Sequence, residues 1–220
     1  MRTVESLKDI SDGKIYDIND IVKADARGCS GCSDCCKNVG DLVVLNPHDV
    51  YEIVNNLGIE FDELIGDKIN LRTENKIQMP YLNMKNNMDC SFLDEYERCS
   101  IHGSRPNICR LFPLGRMYID NDVKYFLQVD NCPVDDLGEV NVSEWIGIEN
   151  YDVNKVFVLE WYKFIKALTF RLKFVRDEEE LCNINEVIKD NFYRNNKEVI
   201  NFYDKFFDVL PKVKNELGII

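Results

Sequence analysis

Gly28-Cys-Ser-Gly-Cys-Ser-Asp-Cys-Cys36 packs four thiols into nine residues, and apart from those thiols it contains only Gly, Ser and Asp. Such a stretch has no apolar side chain with which to build a core, so something other than burial must hold it. Gly, Ser and Asp supply tight turns and exposed backbone donors, and thiolates two residues apart can turn onto one metal while the loop amides hydrogen-bond to the sulfurs. The adjacent pair Cys35 and Cys36 reads differently, because successive side chains usually diverge. These two are expected to serve neighbouring metals, or to divide between a ligand and a reactive or supporting thiol.

A second stretch, CSFLDEYERCSIHGSRPNICRLFPLGR over residues 90–116, adds Cys90, Cys99 and Cys109, and Cys132 brings the set to eight. Two four-thiolate zinc sites would use all eight, whereas one four-iron cluster would need four and leave four for another duty. Soft sulfur donors exclude magnesium, calcium and manganese, which take oxygen ligands. His102 follows Cys99 by three residues and is admissible as a zinc ligand, though eight thiols make it unnecessary. Arg98, Arg105, Arg110 and Arg116 stand among or just beyond the cysteines. The bland reading pairs them with Asp94, Glu95 or Glu97, and it is favoured for Arg98 and Arg116. The sharper reading makes Arg105 and Arg110 cofactor-binding groups that compensate thiolate charge or grip an anionic substrate. Cys182, in a Glu-rich segment far from the rest, is expected to be a buried thiol without a ligand role.

Nothing in the first residues, MRTVESLKD, has the charged-then-apolar order of a secretory signal. A cytoplasmic, reducing location is therefore expected, where nine cysteines are better explained by metal than by disulfides. Apolar residues at 45% and charged residues at 30% suit a folded globular chain of 220 residues. A formal charge of −12 opposes phosphate backbones and anionic lipid surfaces, so nucleic acid and membrane are excluded as expected partners and another protein is the partner class left open.

Outward from the cysteines, Val50, Ile53, Val54 and Leu57 repeat at i, i+3, i+4 and i+7. Asn46 is placed to cap that helix, Pro47 to occupy its first position and Gly58 to end it, and His48 is expected to face solvent. Leu42–Leu45 reads as a short strand, residues 59–87 hold at most one or two strands, and Met117–Ile119 with Val123–Val129 read as a hairpin about Asp120–Asp122. Val153–Val175 and Asn191–Leu217 carry apolar residues at helical spacing, including the stripe Val153, Val156, Phe157, Trp161, Phe164, Ile165 and Leu168. The expected fold is α+β: a loop-rich, metal-stapled region with a small antiparallel sheet, packed against C-terminal helices. Its expected divisions are a lead-in of helix or loop at 1–27, a cysteine-cluster domain at 28–133 and a helical region at 134–220.

Cys29-x-x-Cys32-x-x-Cys35-Cys36, then Cys90-x-Phe92-Leu93, then Cys99-Ser-Ile-His102-x-x-Arg105-Pro106-x-x-Cys109-Arg110-x-Phe112-Pro113, resembles the YkgJ-type cysteine-cluster family of zinc- or iron-chelating proteins. The resemblance spans roughly residues 28–133. It implies a metal site at Cys29, Cys32, Cys35, Cys36, Cys90, Cys99, Cys109 and Cys132, and it weakens His102, where many members carry Tyr. Flagellin lysine methylases look like larger relatives, which makes an iron-sulfur cluster a candidate beside zinc. The leading expectation is thus a cysteine-cluster metalloprotein with no assigned reaction, and iron-sulfur is placed ahead of zinc. The alternative is a protein-modifying enzyme, such as a lysine N-methyltransferase using S-adenosylmethionine. Against it, the chain has neither a Gly-rich nucleotide loop after a strand nor a CxxxCxxC triad.

Overall fold

Asn46 caps a helix as its position predicts. In a computed structural model of the chain, which describes residues 10–27, 32–37, 42–194, 196 and 199–219, α1 runs Pro47–Leu57. The Asn46 side chain accepts the amide of Asp49 at 3.0 Å, and Asp49 accepts the amide of Asn46 at 3.0 Å, which closes a capping box. Gly58 ends the helix with φ at 68°, a left-handed conformation that glycine adopts without steric cost. One expectation about α1 fails. His48 is not solvent-facing: its side chain is only 18% exposed and stacks on Tyr203 and edge-on to Phe202.

Among the described residues the β structure consists of three two-stranded antiparallel ribbons. The short helix α2, Phe61–Leu64, leads into β2, Ile69–Glu74, which pairs with β3, Ile77–Leu82. β4, Leu114–Ile119, pairs with β5, Asp122–Leu127, about Asp120 and Asn121, both at positive φ, so the expected hairpin is present. Leu42–Leu45 forms no full strand but lies along β3, with the Leu45 amide donating to Pro80 O and the Leu82 amide to Val43 O.

The third ribbon corrects the reading of the lead-in. Residues 21–25 are a strand, β1, Ile21–Asp25, which pairs with β6, Gly138–Asn141, from beyond the cysteine region. Val22 and Ala24 are buried while Ile21 and Lys23 face outward, a period-2 pattern too short to stand out beside the polar residues around it. β1 holds the chain's early segment against the segment that follows Cys132.

Helices cover these ribbons. α4, Val142–Ile146, is followed by α5, Tyr151–Leu172, α6, Glu178–Ile188, with a π-helical turn at Lys189–Tyr193, and α7, Phe202–Glu216. Phe157, Trp161, Phe164, Leu168 and Leu172 are the buried stripe of α5, whereas Val153 and Val156 of the expected stripe are exposed. The aromatic rings of Phe157, Trp161, Phe192 and Phe206 meet between α5, the π turn and α7. The expected continuous pattern over Asn191–Leu217 is broken before Phe202, where Asn201 caps α7. α6 falls between the two predicted stretches because its charged first turn masks its apolar face.

One core joins both regions, since Cys90, Phe92 and Leu111 belong to the same buried cluster as Phe157, Trp161 and Phe206. Polar ties reinforce it. Tyr193 Oη donates to Leu45 O at 3.3 Å, Trp145 Nε1 donates to Leu111 O at 3.1 Å, and Asn185 Oδ1 accepts the Gln78 amide at 2.7 Å. The expected packing of the C-terminal helices on the cysteine region is observed, and the fold is α+β. No helix among the described residues is long and apolar enough to cross a membrane.

Candidate metal centre

Cys29 lies outside the described residues, so the first motif enters at Cys32. Asp34–Cys36 is one turn of 3-10 helix. That turn keeps the Cys35 and Cys36 sulfurs together at 4.0 Å instead of letting them diverge. Two thiolates about 2.3 Å from one tetrahedral ion sit about 3.8 Å apart, so the adjacent pair is close enough to share an ion.

The second motif is bound to the first through backbone. The Cys90 amide donates to Cys36 O at 2.8 Å, and Lys37 bridges to Asp89 and pairs with Glu97 at 2.9 Å. Between Cys90 and Cys99 the chain closes on itself: the Ser100 amide donates to Phe92 O and the Asp94 amide to Arg98 O, with Glu97 at positive φ in the turn. Cys109 comes from α3, Asn107–Leu111.

Cys32, Cys35, Cys36, Cys90, Cys99 and Cys109 together line one cavity of about 70 Å³. Its remaining wall is largely apolar, with Leu82, Phe92, Leu93, Ile101 and Phe112. Cys132 is half-buried beyond β5 and does not line it, and Cys182 is exposed, contrary to its expected burial. Among the described residues no group of three or more Cys, His, Asp or Glu side chains is arranged closely enough to hold a metal ion. A separate apolar cavity of about 540 Å³ contains none of the cysteines; Arg116 and Asp49 border it.

The electrostatics follow from sulfurs that share one cavity, with Cys90 buried, Cys36, Cys99 and Cys109 half-buried, and Cys32 and Cys35 exposed. Burial raises the Cys109 thiol, and the neighbouring Cys90, Cys35 and Cys99 raise it further. Burial also raises Cys90 and Cys99, although backbone amides at Phe92 and Ile101 hydrogen-bond to those sulfurs and pull the other way. Cys35 is lowered to about 7, first by its hydrogen bond with Cys36 and, after the opposing effect of burial, by the Arg105 charge; the same hydrogen bond raises Cys36. Thiols that resist ionising beside one another are relieved by a cation that binds them as thiolates. Soft donors, amides aimed at sulfur and a water-poor wall fit zinc or iron, and they do not fit an oxygen-preferring ion.

The arginines divide differently from expectation. Among the described residues neither Arg98 nor Arg116 forms an ion pair: Glu97 is engaged by Lys37, and Asp94 accepts the amides of Tyr96 and Arg98. Arg98 and Arg105 border the cysteine cavity together with His102, and Arg105 Nη1 meets His102 Nε2 at 2.9 Å. Arg110 turns away from it and donates Nη2 to Gly103 O at 2.9 Å.

Sequence reading missed the strut that positions Cys109. Asp49, 3% exposed on α1, accepts the Asn107 amide at 2.7 Å and Asn107 Nδ2 at 2.8 Å, which ties the first turn of α1 to the first turn of α3. Burial raises the Asp49 carboxyl, and its hydrogen bonds with Asn107 and Asn46 oppose that shift. The available signal was Asp at the third helical position after Asn46, a capping box whose acid had a second, long-range task.

The family model that matches this chain covers residues 28–133 and is described as "CxxCxxCC: Putative zinc- or iron-chelating domain". That segment contains all eight clustered cysteines. No curated protein and no solved structure matches the chain.

Proposed function

We propose that the chain, whose residues 28–133 match the CxxCxxCC family model, is a metalloprotein whose cysteine cluster binds an iron-sulfur centre. The observation that carries the proposal is the single cavity lined by Cys32, Cys35, Cys36, Cys90, Cys99 and Cys109. Two structural zinc ions would be served by two separate groups of four thiols. Six thiols around one space suit a polynuclear centre. When bound, the centre supplies thiolate-ligated iron capable of electron transfer. The protein's own residues hold it: the Phe92 and Ile101 amides stabilise sulfur charge, the Arg105 guanidinium offsets it, and Leu82, Phe92 and Phe112 limit water.

The methyltransferase reading gains no support from the structure or the family match and is not part of this proposal. Anaerobic purification followed by metal analysis and visible absorption tests the reading. Brown protein with iron, acid-labile sulfide and broad visible absorption is the expected result. Colourless protein with stoichiometric zinc would exclude the cluster while leaving a thiolate metal site.

A further inference from the structure

Beside the cysteine cavity lies a polar cleft of about 820 Å³, and Arg105 borders both. The cleft's walls include His48 and Glu52 on α1, Arg110 on α3, Asn150 and Val153 at the start of α5, and Tyr203 on α7. We propose that this cleft binds a small oxyanion, a phosphate or a carboxylate, held by Arg105 and Arg110 at the N-terminal end of α5.

Neither guanidinium is held by a carboxylate at ion-pair distance among the described residues, although the Arg105 charge also acts on Cys35. Arg110 donates to the neutral carbonyl of Gly103, and Arg105 meets the imidazole of His102, which burial holds below its usual pKa. Among the described residues neither forms an ion pair, and Arg105 Nε is buried with no hydrogen-bond partner. The two positive charges repel each other, a repulsion that Glu52 and Asp49 oppose at Arg110 and that an anion between the guanidiniums would relieve further. Buried donors without acceptors are uncommon in folded proteins, and a ligand that accepts from them is a standard physical reason for their presence.

His48, which also borders the cleft, carries a second buried atom without a partner. Tyr203 Oη accepts from Asn154 Nδ2 at 3.1 Å, so its proton is free to go to His48 Nε2 at 3.3 Å. That leaves the imidazole proton on His48 Nδ1, which is buried and has no partner. α5 adds to the field. It is a 22-residue helix whose Asn150 cap makes no side-chain hydrogen bond, so its first-turn amides keep their donors and its positive end faces the cleft boundary. Asp49, Glu52, Glu149 and Asp204 also border the cleft. They disfavour a polyanion and restrict the ligand to one small group that reaches the guanidiniums. This inference goes beyond the metal-binding reading and stands without it.

The test titrates the protein as purified, in chloride buffer, with inorganic phosphate and separately with acetate by calorimetry, while metal content is recorded for every sample. Saturable binding of either anion is expected, and which one saturates identifies the ligand class. Arg110→Gln should weaken that binding about tenfold or more, the loss of one charge-assisted contact. Val153→Glu places a carboxylate at a position 41% exposed on the rim and should weaken binding with metal content and melting temperature unchanged. This variant decides the matter if Arg110→Gln perturbs the neighbouring Cys109. Absence of saturation by both anions, or parental affinity in Val153→Glu, would overturn the proposal. Protein that binds anion but carries no metal would instead count against the metal reading alone.

Discussion

Replacing Asp49 with Ala removes the strut between α1 and α3, and the consequence can be worked from the contacts it makes. The carboxylate accepts three bonds, from the Asn46 amide at 3.0 Å and from the Asn107 amide and Nδ2 at 2.7 and 2.8 Å. Asn107 is 6% exposed, so its two donors would be left buried without acceptors, at about 1–3 kcal/mol each. Loss of half the capping box adds about 1 kcal/mol. Against these stands relief from holding a carboxyl where burial raises its pKa. A net loss of about 3 kcal/mol is expected, which for a chain of this size lowers the melting temperature by about 6–12 °C. Because Asn107 opens the turn that carries Cys109, metal should also leave faster under a chelator such as EDTA. Asp49→Asn keeps one acceptor oxygen and should lose roughly half as much. Thermal unfolding and chelator-driven metal release, measured on the same preparations, give both numbers. Stability within about 1 kcal/mol of the parent, together with an unchanged release rate, would refute the strut.

Three further outcomes follow from other parts of the molecule. Cys32→Ser and Cys109→Ser should each lower metal content and the melting temperature together, since the loops around the cavity depend on the metal for cohesion; a metal-free variant with parental unfolding would contradict that. His48 is lowered from 6.5 to about 4 by burial, so the folded state binds fewer protons than the unfolded state between those values and stability falls as pH drops through them. The loss reaches about 3 kcal/mol by pH 4; Asp49, whose carboxyl burial raises, acts in the opposite sense at the acid end, so the His48 contribution is read as the difference between parent and His48→Gln urea titrations. In β4, a Cβ on Gly115 would lie 2.1 Å from the Phe126 ring, so Gly115→Ala should cost about 1 kcal/mol or more in the parent and almost nothing with Phe126→Ala, and equal costs in the two backgrounds would exclude the clash as cause.

The sequence alone determined what short-range chemistry can specify. α1 was legible to the residue because Asn46, Pro47 and Gly58 act on the backbone beside them, and the β4–β5 hairpin was legible because Asp120–Asp122 interrupts two apolar runs. The donor chemistry was equally plain, since a thiol favours soft metals wherever it sits. Only the tertiary structure decided which thiols meet. Burial and hydrogen bonding across the fold bring six of them to one cavity, keep Cys132 beyond its wall, hold the Cys35 and Cys36 sulfurs at 4.0 Å, and leave Cys182 exposed. The same holds for β1, whose partner lies more than a hundred residues away, and for His48, which reads as a surface residue on α1 until α7 packs over it. Asp49 shows the division within a single side chain: its bond to Asn46 follows from helix geometry, while its bonds to Asn107 exist only because the fold brings α3 to the start of α1.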